Sequence, residues 1–180
     1  MIATIAPNIT MRELLEQFPG AQRAMFRKYH IGGCSSCGFS PNETLAAVCA
    51  RNDNVDVEEA IEHIIASDAA DRAMQIEPVD LQVKLASAET VNLLDVRTRE
   101  EFDAVKLPGA QLFTQDLMQT NNWSREDLLV IYDHDGKRSI DAAAYFQGHG
   151  FTNVKSLRGG IDAYSAEVDA SLPRYTLEAA

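Results

Sequence analysis

Cysteine is scarce in this sequence, with three residues among 180. Two of them, Cys34 and Cys37, are separated by only two residues, and the third is Cys49. Three cysteines, two of them so close together, are too few and too local for the disulfide framework of a small secreted protein. In a reducing compartment, the Cys-x-x-Cys spacing indicates thiol redox or metal chemistry instead.

Long apolar runs are also missing. No stretch approaches the roughly 20 consecutive apolar residues that a membrane-spanning helix needs. The N-terminus, Met1-Ile2-Ala3-Thr4-Ile5, lacks a basic segment followed by an apolar core, so it does not resemble a secretory signal. We therefore predict a cytoplasmic protein that does not enter a membrane.

Positive charge is in the minority throughout the chain, and the formal net charge is −11. The first 70 residues contain 5 basic and 9 acidic residues, and the remaining 110 contain 11 and 18. Neither part offers the basic face that binding to phosphate backbones requires. Nucleic acid and acidic membrane surfaces are therefore not expected as partners.

What the first 70 residues do contain is a series of helix start signals, which predicts four short helices. Thr10 and Glu13 have the spacing of a capping box. Ser40 followed by Pro41 predicts the N-cap and first turn of the third helix, and Asp56 opens the fourth. A small all-α domain is expected in residues 1–70.

Residues 67–75 are polar and Ala-rich and either continue the fourth helix or act as a linker; we assign 71–75 as the linker and expect the domain boundary near residue 73. After this segment the pattern changes to alternating helices and apolar strands. This alternation is typical of a parallel sheet with helices on both faces, and we expect an α/β domain in residues 76–180. The predicted elements are a helix over 78–85, a strand over 91–96, a strand over 128–132 and a helix over 140–147.

The loop between the last two of these elements is the most informative stretch of the chain. A strand that leads through a short loop into a helix N-terminus directs several backbone N–H groups into one concave site, where negative charge is favoured. The loop is therefore a candidate site for an anion or a partner, and its residues are Asp133, His134, Asp135, Gly136, Lys137, Arg138 and Ser139.

This loop resembles the active-site loop of rhodanese-like sulfurtransferases, in which a strand ends in Cys and Cys-x-x-Gly-x-Arg-Ser leads into a helix. Gly136, Arg138 and Ser139 match, whereas Asp133 stands at the position of the Cys. The resemblance implies that this Cys carries a persulfide in the family. Because a carboxylate cannot hold a sulfane sulfur, the resemblance implies the fold but not the family's usual reaction, and no thiosulfate cleavage is expected.

Two further blocks extend the resemblance over residues 76–175. They are Asp95-Val96-Arg97 with the turn Leu107-Pro108-Gly109-Ala110, and Leu157-Arg158-Gly159-Gly160-Ile161-Asp162-Ala163-Tyr164. The chain departs from the family pattern at Val105, Lys106 and Tyr164.

The N-terminal region resembles the small helical domain described as a hybrid-cluster-protein-associated redox disulfide domain. The resemblance rests on the turn Phe18-Pro19-Gly20, the Cys34/Cys37 pair and the following Glu43-Thr44-Leu45. It implies a thiol–disulfide role and little further mechanism.

Asp133 allows two interpretations that are compatible with each other. Its carboxylate either takes the place of the thiolate and anionic donor, or it simply accepts N–H bonds from its own loop and caps the following helix. Arg138 is expected to pair with Asp133 or Asp135 and to lower the pKa of that carboxyl group. His134 and Lys137 are expected to be exposed loop residues.

Asp95 and Arg97 look catalytic by their position in the motif, but we expect buried structural contacts from both. In this kind of sheet, an Asp and an Arg at a strand end usually serve that purpose.

Three roles are open for the cysteine pair. Cys34 and Cys37 can form a redox pair in which one thiol attacks a mixed disulfide held by the other. They can also be unreactive thiols, or belong to a zinc or cluster site with His30 and Cys49.

The sequence therefore predicts a two-domain protein with an inactive rhodanese-like loop that binds a protein partner or small anion, coupled to a redox or sulfur-relay pair at Cys34 and Cys37. One alternative is a sulfurtransferase whose sulfur-carrying thiol is Cys34 or Cys37. Another is a zinc-binding or cluster-binding adaptor. No cofactor is expected, and a homodimer is left open.

Overall fold

The computed structural model describes residues 4–32, 38–53 and 55–176, apart from the side chains of Met118 and Gln119. The chain divides into two compact units, Met1–Ala73 and Met74–Ala180. Of the two roles left open for the segment before this division, the helix continues as far as Ala73 and a strand starts at Gln75, so residues 71–75 do not form a separate linker. Asp71 in this segment is buried and forms an ion pair with Arg23.

Four helices are described in the first unit, as predicted. They are α1 (Met11–Gln17), α2 (Ala21–Tyr29), α3 (Leu45–Arg51) and α4 (Val57–Ala73). The predicted capping box is present at α1, where Glu13 N–H donates to Thr10 Oγ1 at 3.3 Å and Thr10 N–H donates to Glu13 Oε2 at 3.0 Å. Asp56 Oδ1 accepts the N–H groups of Glu58 and Glu59 at the start of α4.

The start of α3 differs from the prediction. The helix begins after Thr44, whose side chain accepts the Ala47 N–H at 3.2 Å, and not after Ser40. Residues 41–43 form a turn and a bend, and Thr44 is extended and pairs with Thr10, since Met11 N–H donates to Glu43 O at 2.9 Å and Leu45 N–H donates to Ile9 O at 3.0 Å. Pairing with the segment before α1 thus overrides the local helix signal at Ser40.

The second unit contains a parallel sheet. Its strands are β1 (Gln75–Ile76), β2 (Val91–Asp95), β3 (Gln111–Leu112), β4 (Leu128–Tyr132) and β5 (Val154–Leu157), and their order is β1-β5-β4-β2-β3. The helices are α5 (Pro78–Ala86), α6 (Arg99–Ala104), α7 (Gln115–Thr120), α8 (Arg138–Gly148) and α9 (Gly160–Glu167). This confirms the predicted α/β class.

Both faces of the sheet are covered, and β4 shows this directly. Leu128, Val130 and Tyr132 belong to one apolar cluster, which includes residues of α5 and α9. Leu129 and Ile131 belong to another, which includes residues of α8. The continuous apolar sequence of β4 follows from burial on both sides.

The site is positioned by the neighbouring strands β2 and β4. Asp95 at the end of β2 lies beside Tyr132 at the end of β4. Because parallel strands end at the same edge of a sheet, the chain leaving β2 and the loop at 133–139 emerge side by side. Within the described part of the chain, no helix is long and apolar enough to span a membrane.

Candidate functional site

The carboxylate of Asp133 is the centre of the loop, and its side chain is 1% exposed. Gly136 N–H donates to Oδ1 at 2.9 Å, and Arg138 N–H donates to Oδ2 at 2.9 Å. Ser139 Oγ–H also donates to Oδ1, at 2.9 Å. This confirms that Asp133 accepts N–H bonds from its own loop, including that of the first residue of α8. Two backbone N–H groups and one hydroxyl of the loop are thus bonded to a carboxylate of the chain itself.

A second hydroxyl lies behind Ser139. Ser156 of β5 is buried, and its Oγ lies 2.8 Å from Ser139 Oγ. Since Ser139 donates its proton to Asp133, its oxygen is available to accept the proton of Ser156. The two hydroxyls connect the loop to the neighbouring strand.

The loop is held from the other side by the first turn of α9. Ile161 N–H donates to Asp133 O at 2.9 Å, and Asp162 N–H donates to His134 O at 3.1 Å. Gly160 lies so close that an added Cβ would collide with the carbonyl oxygens of Asp133 and His134. Gly136 has φ of +82°, and a Cβ there would lie 2.7 Å from Gly159 N. The loop shape therefore depends on glycine on both sides of this contact.

Arg138 pairs with Asp133, as predicted, at the long end of the range for an ion pair. Its Nε is 3.8 Å from Asp133 Oδ2, and its side chain is 59% exposed. Asp135 is instead paired with Lys137, whose Nζ lies 2.7 Å from Oδ2. Burial by itself raises the pKa of Asp135, but the hydrogen bonds from the Lys137 side chain and N–H outweigh it, so the pKa is lowered. The Asp133 carboxylate thus has closer partners in the backbone N–H groups, at 2.9 Å, than in the Arg138 guanidinium.

His134, predicted to be an exposed loop residue, is partly buried. Its ring lies against Tyr175, with the ring centroids 4.5 Å apart and the planes at 46°. Its Nδ1 is buried and has no hydrogen-bond partner among the described residues. Sequence reasoning missed Tyr175, since no local signal links it to residue 134.

Asp95 and Arg97 form an ion pair whose side chains are both 0% exposed. Arg97 Nη2 donates to Asp95 Oδ2 at 2.6 Å, and Nε lies 3.0 Å from Oδ1. Nη2 also donates to Val105 O at 2.6 Å, and Nη1 donates to Tyr175 Oη at 2.8 Å. Burial by itself lowers the pKa of Arg97. The hydrogen bonds to Asp95 and Tyr175 raise it by more than burial lowers it, so the pKa lies above its usual value and the guanidinium stays charged. The contacts are the structural ones expected.

Tyr175 is joined on its other side to Glu101, since its Oη–H donates to Glu101 Oε1 at 2.7 Å. Burial and this hydrogen bond raise the pKa of Tyr175 to about 12. The phenol thus links Arg97 to Glu101.

The cysteine pair falls outside the part of the chain that the structure describes. The predicted roles of Cys34 and Cys37 therefore stay predictions. The described residues on either side are anchored, because Gln22 Nε2 donates to Gly32 O at 2.9 Å and Arg51 Nη2 donates to Gly38 O at 2.6 Å.

The other two members of the predicted zinc set are described. Cys49 is a buried residue of the apolar core, and burial, followed by the charge of Asp56, raises the pKa of its thiol. His30 ends α2 in the left-handed conformation and lies beside the ring of Phe26. Among the described residues, no three His, Cys, Asp or Glu side chains are grouped so that they could hold a metal ion.

Comparison with known proteins gives a match to the family model described as Rhodanese-like domain, over residues 77–167. The chain is 34% identical over 96 residues to the chloroplastic Rhodanese-like/PpiC domain-containing protein 12 of Arabidopsis thaliana. This match covers 48% of this chain and 31% of that protein. The chain is 33% identical over 93 residues to a sulfurtransferase of Allochromatium vinosum, covering 51% of this chain and 87% of that protein.

Longer relatives are matched only in part. The chain is 31% identical over 118 residues to the probable adenylyltransferase/sulfurtransferase MoeZ of Mycobacterium tuberculosis, covering 62% of this chain and 30% of that protein. The chain thus spans about a third of the length of this relative and of the Arabidopsis protein. The crystal structure of a rhodanese-like domain protein from Staphylococcus aureus is similar with a TM-score of 0.46 and 26% identity, over 57% of this chain and 98% of that one.

Proposed function

This chain belongs to the rhodanese-like domain family, and from that premise we propose that it is a member whose loop carries no sulfur nucleophile and acts as a binding or regulatory module. The observation that carries the proposal is the arrangement around Asp133. Its carboxylate accepts hydrogen bonds from Gly136, Arg138 and Ser139 within the loop. A carboxylate has no thiolate to attack a sulfur donor, so the loop itself cannot carry a persulfide.

The same arrangement favours a protein partner over a small anion. A free anion would have to displace a carboxylate that is attached to the loop and already bonded to its donors. The outward-facing side chains Asp135, Lys137 and Arg138, by contrast, are available to a protein surface. Their mixed charge suits polar contacts at an interface.

Cys34 and Cys37 supply the thiol chemistry in this proposal, as a redox pair or a sulfur relay coupled to the module. A second candidate function is sulfur transfer through one of these thiols, and the relatives named sulfurtransferases favour it. In that reaction the thiolate attacks the outer sulfur of thiosulfate, an S–S bond forms and sulfite leaves. Cyanide then takes the outer sulfur as thiocyanate and restores the thiolate.

The test is an assay of thiocyanate formation by the full chain from thiosulfate and cyanide, repeated with glutathione persulfide as donor. The binding module predicts no turnover above the background of the variant Cys34→Ser/Cys37→Ser. Turnover that is lost in this variant would replace the proposal with the second candidate. Turnover that survives in this variant would contradict both.

A gain-of-function variant tests the role given to Asp133. We expect Asp133→Cys in the Cys34→Ser/Cys37→Ser background to gain thiosulfate turnover, because the loop donors would then stabilise a thiolate. Asp133→Ser is the matched control, since it has a similar size and no thiol. If the Cys variant were folded and as inactive as the Ser variant, the missing nucleophile would not explain why the loop lacks thiosulfate turnover.

A further inference from the structure

The C-terminal segment of the second unit returns to the loop after α9. Ser165 Oγ–H of α9 donates to Leu172 O at 2.7 Å, which turns the chain back along the helix. Leu172 and Tyr175 pack against the apolar cluster that contains Tyr132 of β4. The segment is therefore attached to the folded unit and leads toward the edge of the sheet where the loop lies.

Arg174 fixes this segment to the turn that supports the loop. Its Nε donates to Asp162 Oδ1 at 2.7 Å and its Nη2 donates to Oδ2 at 2.8 Å, a two-pronged ion pair. The N–H of the same Asp162 donates to His134 O. The bond from Arg174 also lowers the pKa of the Asp162 carboxyl group, so the pair is charged at neutral pH. Bidentate pairs of this kind restrict geometry more than single contacts do.

Tyr175, the next residue, places its ring on His134 and its hydroxyl between Arg97 and Glu101. The phenol therefore binds two chain segments at once, the loop after β4 and the chain after β2. Arg97 is the buried cation of the ion pair with Asp95, so the hydrogen bond from it to Tyr175 is one to a charged group.

We infer that residues 169–176, here called the strap, close the His134 side of the loop, and that a partner reaches His134 only when the strap is released. The inference rests on the proposed function only in taking the loop as the surface that a partner uses. The strap is thus a built-in competitor for that surface. It acts through Arg174 on the supporting turn and through Tyr175 on the loop itself.

Acylation of histidine by diethyl pyrocarbonate, followed residue by residue with mass spectrometry, measures this closure in the full chain. We expect His134 to react slowly in the unaltered protein. In Tyr175→Ala its rate should rise at least about tenfold, because a hydrogen bond to a charged group and a ring contact are lost together. Tyr175→Phe keeps the ring and loses the hydroxyl bonds, and should give a smaller rise.

Two further variants separate the strap from general damage to the fold. Arg174→Ala removes only an exposed side chain and should also speed the reaction of His134, because the strap loses its ion pair. Tyr145→Ala is the matched control. Tyr145 is 52% exposed and its ring lies 4.0 Å from that of His149, so its removal should affect His149 and leave His134 unchanged.

The inference would be overturned if His134 reacted at the same rate in the unaltered chain, Tyr175→Ala and Arg174→Ala, with circular dichroism showing all three folded. A rise in all four histidines of Tyr175→Ala, without a rise for Arg174→Ala, would indicate unfolding and would also overturn it. The experiment does not measure sulfur transfer, so its outcome is independent of the assay that tests the proposed function.

Discussion

Two buried carboxylates stand at the ends of neighbouring strands, and they are stabilised in different ways: Asp95 is the last residue of β2, and Asp133 directly follows β4. Asp95 is compensated by the buried guanidinium of Arg97. Asp133 is compensated by two backbone N–H groups and one hydroxyl of its own loop. The first arrangement is a closed ion pair, whereas the second is a loop that has bound its own anion.

The two carboxylates at this sheet edge differ in the charge that their surroundings present to solvent. The ion pair at Asp95 joins β2 to the backbone at Val105 and to Tyr175, and it presents no charge to solvent. The loop at Asp133 keeps its inner donors satisfied and leaves Lys137 and Arg138 exposed. Of the two regions, the second therefore presents exposed charged side chains.

Breaking the ion pair should have the largest effect. Arg97→Met leaves Asp95 as an uncompensated buried charge, and we expect the free energy of unfolding to fall by about 3–5 kcal/mol. Urea denaturation followed by the fluorescence of Trp123, which packs against a core cluster of the second unit, is the measurement.

Arg99→Met is the control for that variant, because Arg99 is exposed at the start of α6. It should change the free energy of unfolding by less than about 0.5 kcal/mol. An Arg97→Met protein as stable as Arg99→Met would show that the buried pair is not what separates the two regions.

Removal of the loop carboxylate should cost less. In Asp133→Ala the donors at Gly136, Arg138 and Ser139 lose their acceptor, but the loop borders solvent and water can replace part of it. We expect a loss of about 2–4 kcal/mol in the same urea experiment. Asp133→Asn keeps one oxygen acceptor and should lie between Asp133→Ala and the unaltered chain.

The matched control in the loop is Arg138→Ala, which removes an exposed side chain 3.8 Å from the same carboxylate. It should cost less than about 0.5 kcal/mol. If Arg138→Ala were as damaging as Asp133→Ala, the guanidinium and not the backbone would be the main partner of Asp133, and both carboxylates would then be stabilised by an arginine.

The smallest expected effect is a pH dependence of the free energy of unfolding that comes from Glu101, which Tyr175 links to Arg97 of the buried ion pair. Burial by itself raises the pKa of Glu101, but the hydrogen bonds from Tyr175 and Thr98 and the charge of Arg97 lower it by more. A lowered folded pKa means that Glu101 adds stability above its unfolded pKa of about 4.3, and that this stability is lost as the pH falls through the folded value.

Glu101→Gln should therefore be less stable than the unaltered chain at pH 7, by less than about 1 kcal/mol since the group is partly exposed. The gap between their urea midpoints should close at pH 3. A gap of the same size at both pH values would mean that the charge of Glu101 does not contribute.

Local signals in the sequence were enough for much of the fold. The strand at 128–132 and the helix that starts at Pro78 were predicted at their observed positions, because apolar runs and first-turn prolines act within a few residues. The same holds for the capping box at Thr10. The start of α3 was predicted wrongly, since the backbone of residues 43–45 pairs with the segment before α1.

At the candidate site, the sequence by itself determined which carboxylates and donors are present, and the spacing within 133–139 determined that Asp133 can bond its own loop. Only the tertiary structure decided what surrounds it. Ser139 meets Ser156 from 17 positions away, and Arg97 meets Tyr175 from 78 positions away. Such contacts follow from the parallel strand order and from the path of the chain after α9. No local pattern encodes them, because hydrogen bonds between distant segments depend on where the packed sheet brings those segments together.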